Sequence, residues 1–272
     1  MNVNLIATDL DGTLMNSKNQ ITDDTINTLR EASEKGILIV PATGRCVELI
    51  PRELLSAINI RYAIVANGAG IWDYKEKKFL FRKLMPEGVT DMILEGVSGK
   101  NGYVEVFCKG KSYVDIEEMK NISENFHDQN FIKYYRHNHI FVFGLASRKY
   151  ILSQAEKINL FYLSPEEKES LEYKLNSDGR CAVTSSISGN IEIHNGEVNK
   201  GSSLKLLCSM LNICMEEVVA FGDSDNDIEM LQVAGVGVAM ENACKKISNI
   251  ANTQTNSNDE NGVANYIRNC IL

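Results

Sequence analysis

The sequence predicts an α/β fold in which a doubly wound parallel sheet forms a core and an α+β domain is inserted into that core. Short apolar strands alternate with helical segments near both ends of the chain, which is typical of a parallel sheet covered on both faces. The strands between them are aromatic or half-polar and are joined by hairpin turns, which favours an antiparallel sheet with helices on one face. The predicted Rossmann-like core covers residues 1–83 and 194–272, and the inserted domain covers residues 84–193.

The core begins with the order strand, helix, strand, helix, strand. Residues 3–8 form an apolar run that predicts a buried strand. Thr22 is a suitable N-cap for the next helix, and Gly36 is a suitable stop at its C-terminal end. The following strand, helix and strand are predicted at residues 37–40, 47–57 and 62–66. This βαβαβ order predicts a parallel sheet with right-handed crossovers.

The inserted domain and the second half of the core complete the chain. A hairpin is predicted at residues 71–84, just before the insertion. Within the insertion, a second hairpin is predicted at residues 103–115, and strands are predicted at residues 140–145, 157–163, 181–187 and 191–193. From residue 200 the alternation returns, with strands predicted at 218–221 and 236–240 and helices at 200–212, from 226, at 243–251 and at 262–270. Residues 252–261 are predicted to be a polar loop.

Composition excludes several classes of protein. The 272 residues carry a formal net charge of −8, which argues against a protein that tracks a nucleic-acid backbone or adheres to an anionic membrane. The sequence starts without a basic leader and has no apolar run long enough to span a bilayer, so we expect a cytoplasmic protein. The seven cysteines are odd in number and scattered, which argues against a disulfide framework. Nothing in the sequence indicates an oligomeric state.

Acidic residues follow the predicted core strands. Ligands of open parallel sheets bind beyond the carboxyl ends of the strands, where loops from neighbouring strands meet. The side chains and amides expected there are those of Asp9, Asp11, Thr43, Gly44, Asp223, Asn226 and Asp227, with Lys200 at the start of the helix before the strand at 218–221. Two unit charges about 4 Å apart repel by about 4 kcal/mol at an effective dielectric near 20, so such a carboxylate cluster requires a cation. Oxygen-only ligands favour Mg²⁺.

These residue types divide into the roles of a phosphoryl-transfer site. Asp9 would attack phosphorus and form an aspartyl-phosphate. Asp11, two residues later, would protonate the leaving oxygen and then deprotonate the hydrolytic water. Thr43, the Gly44 amide and Asn226 would hold the phosphate oxygens. The developing charge would be neutralised by Lys200.

Four motifs occur in the order found in the haloacid dehalogenase superfamily, and the chain resembles its Cof-like phosphatase branch. They are "DLDGTL" at residues 9–14, "ATGR" at 42–45, "NKG" at 199–201 and "GDSDND" at 222–227, and "ANGA" at 66–69 and "SNDENGVA" at 257–264 also resemble that branch. The resemblance implies an α+β cap between the second and third motifs. It also implies a Mg²⁺ ion held by the side chains of Asp9 and Asp223 and the carbonyl of Asp11, with Asp227 acting indirectly. An acid at Asp11 favours a phosphatase over a dehalogenase.

The expected function is Mg²⁺-dependent hydrolysis of a small phosphorylated metabolite, such as a sugar phosphate, a nucleotide or a phosphorylated vitamin, with the cap acting as a lid. Three alternatives remain. A phosphosugar mutase would return the phosphoryl group to a sugar and would need a bisphosphate activator. A phospho-accepting signalling module is disfavoured, because its two acids would be adjacent, whereas here they are spaced D-x-D. Its phospho-accepting aspartate would also follow the third strand, where this chain has Asn67 and Gly68. A phosphate-binding protein would bind its ligand without turnover.

Overall fold

The chain divides into two compact units. The computed structural model describes residues 2–98, 103–118, 135–161, 163–185 and 190–272. Unit 1 comprises Met1–Arg45, Ile50–Phe81 and Val198–Leu272, and unit 2 comprises Cys46–Leu49 and Arg82–Glu197. Unit 2 thus contains the predicted insertion at 84–193, with a few more residues at each end and one short segment from earlier in the chain.

The described strands and helices are, in chain order, β1 Leu5–Thr8, α1 Asp23–Glu34, β2 Leu38–Pro41, α2 Arg52–Ala57, β3 Tyr62–Val65, β4 Gly70–Asp73, β5 Lys78–Arg82, α3 Val89–Val97, β6 Tyr103–Cys108, β7 Lys111–Asp115, β8 Ile140–Val142, α4 Lys149–Ser153, β9 Ala155–Phe161, α5 Pro165–Asp178, β10 Cys181–Thr184, β11 Asn190–Asn195, α6 Lys200–Leu211, β12 Val218–Gly222, α7 Ile228–Val233, β13 Val236–Ala239, α8 Lys245–Ile250, β14 Thr253–Gln254 and α9 Gly262–Cys270.

Unit 1 is built on a five-stranded parallel sheet with the order β14-β13-β12-β1-β2. The central strand β1 is fully buried and pairs with β12 on one side and β2 on the other, so that Leu5 lies opposite both Val218 and Leu38. An apolar run buried on both faces is what a central parallel strand requires. The α/β class with a parallel core and a second sheet was therefore predicted correctly.

The third predicted core strand pairs differently from the prediction. β3 forms a three-stranded sheet with β4 and β5, and β3 and β4 run antiparallel, while a single parallel bridge between Ala42 and Ile64 links β3 to the segment after β2. The cause is the turn after β3, where Ala66, Asn67 and Gly68 all have positive φ and reverse the chain. Periodicity identified the strand, but the turn conformation decided its partner.

Local signals placed the helices of unit 1, with two corrections. α1 begins after Thr22, whose side chain accepts the Thr25 N–H as an N-cap should. The helix predicted at 47–57 is shorter, because Pro51 limits α2 to Arg52–Ala57 and leaves one 3-10 turn at Val47–Leu49. The loop predicted at 252–261 contains β14, which completes the edge of the parallel sheet. The cysteines are free thiols, as expected.

Unit 2 contains a six-stranded sheet with the order β10-β11-β9-β6-β7-β8. Its strands pair antiparallel as predicted, except that β7 and β8 run parallel. Apolar side chains from the strands pack with those of α3, α4 and α5. Other residues of the strands form a buried polar network in which Lys157 pairs with Glu192 at 2.5 Å. Within the ranges given above, no helix is both long and apolar enough to cross a membrane.

Candidate active site

The candidate site lies in unit 1, at the carboxyl ends of two neighbouring parallel strands. Asp9 directly follows β1 and Asp223 directly follows β12. Thr8 pairs with Phe221 in the sheet, and the Asp9 N–H donates to the Phe221 carbonyl at 3.0 Å. This register brings two acids that are far apart in the sequence to one edge of the sheet.

Lys200 lies between two of the carboxylates. Its ammonium donates to Asp9 Oδ1 at 2.6 Å and to Asp227 Oδ1 at 2.7 Å, and the lysine is fully buried. The side chain starts from the first residue of α6, where Asn199 and Ser202 form a reciprocal capping box that fixes the helix end. A cation at a helix N-terminus is electrostatically unfavourable, so these two ion pairs account for its position.

Three carboxylates gather around this lysine. One oxygen each from Asp9, Asp223 and Asp227 lies within 4.8 Å of the others. The second oxygen of Asp227 accepts the backbone N–H groups of Asp223 and Ser224 at 3.0 and 3.1 Å. Both oxygens of Asp227 are therefore engaged by the protein, and this carboxylate holds the loop and the lysine in place.

The Asp223 carboxylate is oriented by hydroxyl groups and by a glycine. Thr13 donates to its Oδ1 at 2.6 Å, and Ser224 donates to its Oδ2 at 2.8 Å. Gly12 has a φ of +81°, and a Cβ at this position would lie 2.6 Å from Asp223 Oδ2. Only glycine allows the loop after β1 to approach this carboxylate so closely.

Charge and burial act together on these groups. Burial raises the pKa of the Asp9 carboxyl well above its ordinary value; the Lys200 ammonium opposes this rise, and the negative charges of Asp227 and Asp223 add to it. Burial alone would lower the pKa of Lys200, but attraction to Asp227 and Asp9 outweighs it, so the pKa is raised. Burial and then Asp227 raise the pKa of Asp223. The cluster holds three acids against one ammonium and is short of positive charge.

The donor set fits a hard divalent cation. Carboxylate and carbonyl oxygens are the ligands that Mg²⁺ uses, and neither sulfur nor imidazole belongs to this cluster. Hydroxyls from Thr13 and Ser224 orient Asp223, as outer hydrogen bonds orient metal-ligating carboxylates. Repulsion between carboxylates this close together costs about 4 kcal/mol per pair at an effective dielectric near 20. A divalent ion would offset this repulsion.

The predicted phosphate-binding residues adjoin this cluster through a chain of hydrogen bonds. Thr43 is fully buried, and its carbonyl accepts the Asn67 N–H at 3.1 Å. The Asn67 side chain in turn accepts from Asn226 Nδ2 at 3.1 Å, and Asn226 directly precedes Asp227. The Oδ1 atom of Asn226 is buried and accepts no hydrogen bond from the described residues. Gly44 is half-buried beside Thr43.

Asp11 lies apart from the buried acids. Its side chain is 44% exposed and forms a bidentate ion pair with Arg45, at 2.8 Å from Nε to Oδ2 and 2.6 Å from Nη2 to Oδ1. Its negative charge contributes to the raised pKa of Asp9, so the two carboxylates still influence each other. The carboxylate cluster itself does not include the Asp11 side chain.

Sequence reasoning missed three contributors to the site. Thr13, Arg45 and Asn67 contact Asp223, Asp11 and Asn226, respectively. Each of them stands inside a motif quoted above. The motifs were therefore a signal for these positions, but side-chain partners depend on the tertiary structure and could not be named from one chain.

Comparison with known proteins agrees with this fold. The model of the haloacid dehalogenase-like hydrolase family matches residues 6–267. The chain is 34% identical over 287 aligned positions to the phosphatase YwpJ of Bacillus subtilis (strain 168), covering 98% of this chain and 99% of the relative. It is 32% identical over 275 positions to the 5-amino-6-(5-phospho-D-ribitylamino)uracil phosphatase YcsE of the same strain, covering 100% and 97%.

A solved structure of a haloacid dehalogenase-like hydrolase from B. subtilis superimposes with a TM-score of 0.83 at 31% sequence identity, covering 99% of this chain and 100% of the other. The match extends over both units. The chain belongs to the haloacid dehalogenase-like hydrolase family, in its Cof-like phosphatase branch, and is a phosphatase.

Proposed function

We propose that this phosphatase hydrolyses a small phosphorylated metabolite in a Mg²⁺-dependent reaction that passes through an aspartyl-phosphate on Asp9. The observation that carries the proposal is the contact of Asp9 with the buried Lys200, next to Asp223 and Asp227. Burying a carboxylate beside other acids and a single ammonium costs free energy, and such groups are concentrated at functional sites. A phosphoryl group adds further negative charge next to Asp9, and the lysine together with a metal ion would neutralise it.

The first half of the reaction transfers the phosphoryl group to the enzyme. An oxygen of the Asp9 carboxylate attacks phosphorus, and the bond between phosphorus and the leaving oxygen breaks. Asp11 donates a proton to that oxygen, so the product leaves as a neutral alcohol. Thr43, the Gly44 amide and Asn226 hold the phosphate oxygens during this step.

The second half returns the enzyme to its starting state. Asp11, now a carboxylate, takes a proton from a water molecule, which attacks the phosphorus of the aspartyl-phosphate. The acyl–phosphate bond breaks, and inorganic phosphate leaves with the Asp9 carboxylate restored. Lys200 stays beside Asp9 and balances the negative charge that develops on the transferred group.

The metal ion would be held by the side chains of Asp9 and Asp223 and by the Asp11 carbonyl, with Asp227 supporting the loop. When bound, Mg²⁺ would neutralise carboxylate charge and polarise the phosphate oxygens. Thr13 keeps Asp223 oriented for this purpose. The support for Mg²⁺ is the oxygen-only donor set and its excess of negative charge.

The relatives support a proposal for the substrate class. YcsE, YwtE and YitU of B. subtilis are 32%, 30% and 26% identical to this chain, and all three are 5-amino-6-(5-phospho-D-ribitylamino)uracil phosphatases. We propose that this chain also acts on a phosphorylated small molecule of this size. A test panel therefore contains that compound together with sugar phosphates, nucleotides and pyridoxal phosphate.

The testing experiment measures phosphate release over this panel, first in EDTA and then with Mg²⁺ restored. We expect turnover only with the metal and without any bisphosphate activator, which separates a phosphatase from a mutase. Asp9→Asn should abolish turnover while the fold is kept, as judged by circular dichroism. Asp225→Asn, in an exposed acid of the loop after β12, is the matched control and should keep its activity.

Turnover that persists in EDTA would reject the metal dependence. Rapid hydrolysis by Asp9→Asn, with deamidation excluded by mass spectrometry, would reject nucleophilic attack by Asp9.

A further inference from the structure

We infer that Arg45 is the positioning residue for Asp11, holding this carboxyl group where it can protonate the leaving oxygen. The inference rests on the proposed function, because it assigns Arg45 to the acid step of that reaction. Arg45 is a member of the "ATGR" segment for which no role follows from its neighbours in the sequence. Its role here comes from its contacts.

The ion pair has the geometry that fixes a direction. Nε and Nη2 of Arg45 donate to different oxygens of the Asp11 carboxylate, at 2.8 and 2.6 Å. Two parallel hydrogen bonds between a planar guanidinium and a planar carboxylate set the orientation of the acid as well as its location. A lysine could supply the charge but not the second bond.

The backbone of Arg45 is fixed on both sides. Its N–H donates to the Thr43 hydroxyl at 3.1 Å, and its carbonyl accepts the Ala66 N–H at 2.9 Å. Thr43 is also a proposed phosphate ligand, so the arginine is anchored to the segment that would hold the substrate. The guanidinium therefore extends from a fixed point.

The Asp11 side chain is less buried than the Arg45 side chain. Its side chain is 44% exposed, whereas the Arg45 side chain is 18% exposed. An exposed carboxylate on a loop samples several rotamers, and ordering it costs conformational entropy. Partly exposed ion pairs contribute little to folding, so stability is a weak reason for this pair. Setting the orientation of the Asp11 carboxylate is the stronger reason.

The arrangement also suits the proton transfer. One oxygen of Asp11 has to face the leaving oxygen when the proton moves, while the other can remain on the guanidinium. A misplacement of about 1 Å can cost on the order of 100-fold in rate, so holding one oxygen matters for the other. Arg45 thus acts through Asp11 and needs no contact with the substrate.

The test compares two substrates in kcat/KM, which reports the steps up to formation of the phosphoenzyme. An alkyl phosphate has a poor leaving group and needs the acid, whereas 4-nitrophenyl phosphate leaves without protonation. We expect Arg45→Met to lower kcat/KM for the alkyl phosphate by about 10- to 100-fold, part of the roughly 10²- to 10⁴-fold that a general acid supplies. The loss for 4-nitrophenyl phosphate should be about threefold or less, because the acid is dispensable there.

A double-mutant cycle completes the test. In the Asp11→Asn background, Arg45→Met should change kcat/KM for the alkyl phosphate by less than about twofold, because its effect passes through Asp11. Arg45→Lys should recover only part of the loss. Arg268→Met is the matched control, since Arg268 forms an exposed ion pair with Asp24 elsewhere in unit 1.

Equal losses for both substrates, or losses that multiply in the double variant, would overturn the inference and indicate direct binding of the substrate by Arg45. Circular dichroism and thermal unfolding of each variant exclude a folding defect. An unchanged rate for Asp11→Asn would instead reject the acid role of Asp11 in the proposed function. The two failures are therefore distinguishable.

Discussion

At the scale of single residues, Lys200 supplies positive charge to the acidic cluster of unit 1. It is the cation that the described residues place inside the cluster of Asp9, Asp223 and Asp227, and it contacts two of these acids directly. Its burial is tolerated because the ion pairs replace its hydration. Removing the ammonium would leave a bound metal ion as the means of neutralising these acids.

This dependence gives a prediction for Lys200→Met. In EDTA the variant should lose about 3 kcal/mol of unfolding free energy, because the acids are left buried without their ammonium. Mg²⁺ should then stabilise the variant more than the wild type, since a ligand that binds only the folded state raises its stability. Urea unfolding in EDTA and in Mg²⁺ measures both effects.

Lys205→Met is the control for this comparison, because Lys205 is exposed on the same helix. It should change neither the stability nor the response to Mg²⁺. A Lys200→Met variant with the same Mg²⁺ response as the wild type would show that the lysine and the metal do not share one cluster.

The acids of the site were predictable from the sequence, and their partners were not. Asp9 and Asp223 follow apolar strands, and parallel strands bring such positions together by geometry alone. Arg45 and Thr13 find their carboxylates across the fold, at sequence separations of 34 and 210 residues. No local pattern encodes a contact of this kind, so these residues became visible only in three dimensions.

At the scale of elements, the turn after β3 sets the start of α6. Three consecutive residues with positive φ, at 66–68, are rare and strained, and such strain is usually kept where function requires it. Gly68 packs directly on the first turn of α6, and its carbonyl accepts the Ser203 hydroxyl at 2.6 Å. This contact places the helix that carries Lys200.

A prediction for Gly68→Ala follows. The added Cβ would lie 2.2 Å from the Asn199 carbonyl oxygen and 2.9 Å from the Lys200 nitrogen, so the helix start must shift. We expect kcat/KM to fall at least about tenfold, because a displacement near 1 Å can cost more than that. Steady-state kinetics on the best substrate of the panel measures the loss.

Gly36→Ala is a closely matched control. Gly36 also has a φ near +90°, but a Cβ there meets no atom within 4 Å. Gly36→Ala should lose on the order of 1 kcal/mol from backbone strain and keep its activity. Gly68→Ala should lose more stability, because its Cβ also meets backbone atoms, and it should lose activity. Comparable kinetic losses in the two variants would contradict the role given to the turn.

The bounds of helices were predictable from local sequence signals, whereas the pairing of strands was not. The cap of α1 at Thr22 and the whole of α9 at Gly262–Cys270 were predicted correctly, because capping and helical periodicity are local properties. β14 was missed because a two-residue strand has no periodicity; its pairing with β13 defines it. The predicted partner of β3 was wrong, because strand pairing there is decided by the turn that follows and periodicity does not describe that turn.

At the scale of the whole molecule, each unit has a hydrophobic core of its own. The change between parallel and antiparallel strand types predicts boundaries at 84 and 193, and the two compact units change at 81–82 and 197–198. The transfer of Cys46–Leu49 to unit 2 could not be predicted, because it depends on contacts such as the Glu48 N–H donating to the Gly110 carbonyl at 3.0 Å. Sequence position alone assigned these residues to the core.

The stability of unit 2 should depend on pH through Glu118. Burial raises the pKa of its carboxyl from 4.5 to about 7; the N–H of Val104 opposes this rise and Asp115 adds to it. Between these two values the folded chain binds more protons than the unfolded chain. The contribution of Glu118 is therefore fully present below about pH 4.5 and is lost as the pH rises through about 7.

Glu118→Gln should remove this dependence. A glutamine keeps a carbonyl oxygen for the Val104 N–H and cannot ionise, so at pH 8 the variant should be more stable than the wild type by about 1–2 kcal/mol. At pH 5 the two should be nearly equal. Urea unfolding across this range measures the difference, with exposed Glu117→Gln as the control. A wild type whose stability rises from pH 5 to pH 8 relative to Glu118→Gln would contradict the assignment.

The proposed mechanism depends on the Asp9 carboxylate as the nucleophile, and chemical trapping tests this most directly. Asp11→Asn is mixed with 4-nitrophenyl phosphate and Mg²⁺; this substrate needs no acid, and the missing base should let the phosphoenzyme accumulate. Borohydride reduces acyl phosphates to alcohols, so reduction, digestion and mass spectrometry locate the modified residue. We predict that Asp9 is converted to homoserine, and only when substrate is present. A burst of nitrophenol with Asp9 unmodified, or with the reduction at another acid, would contradict the account.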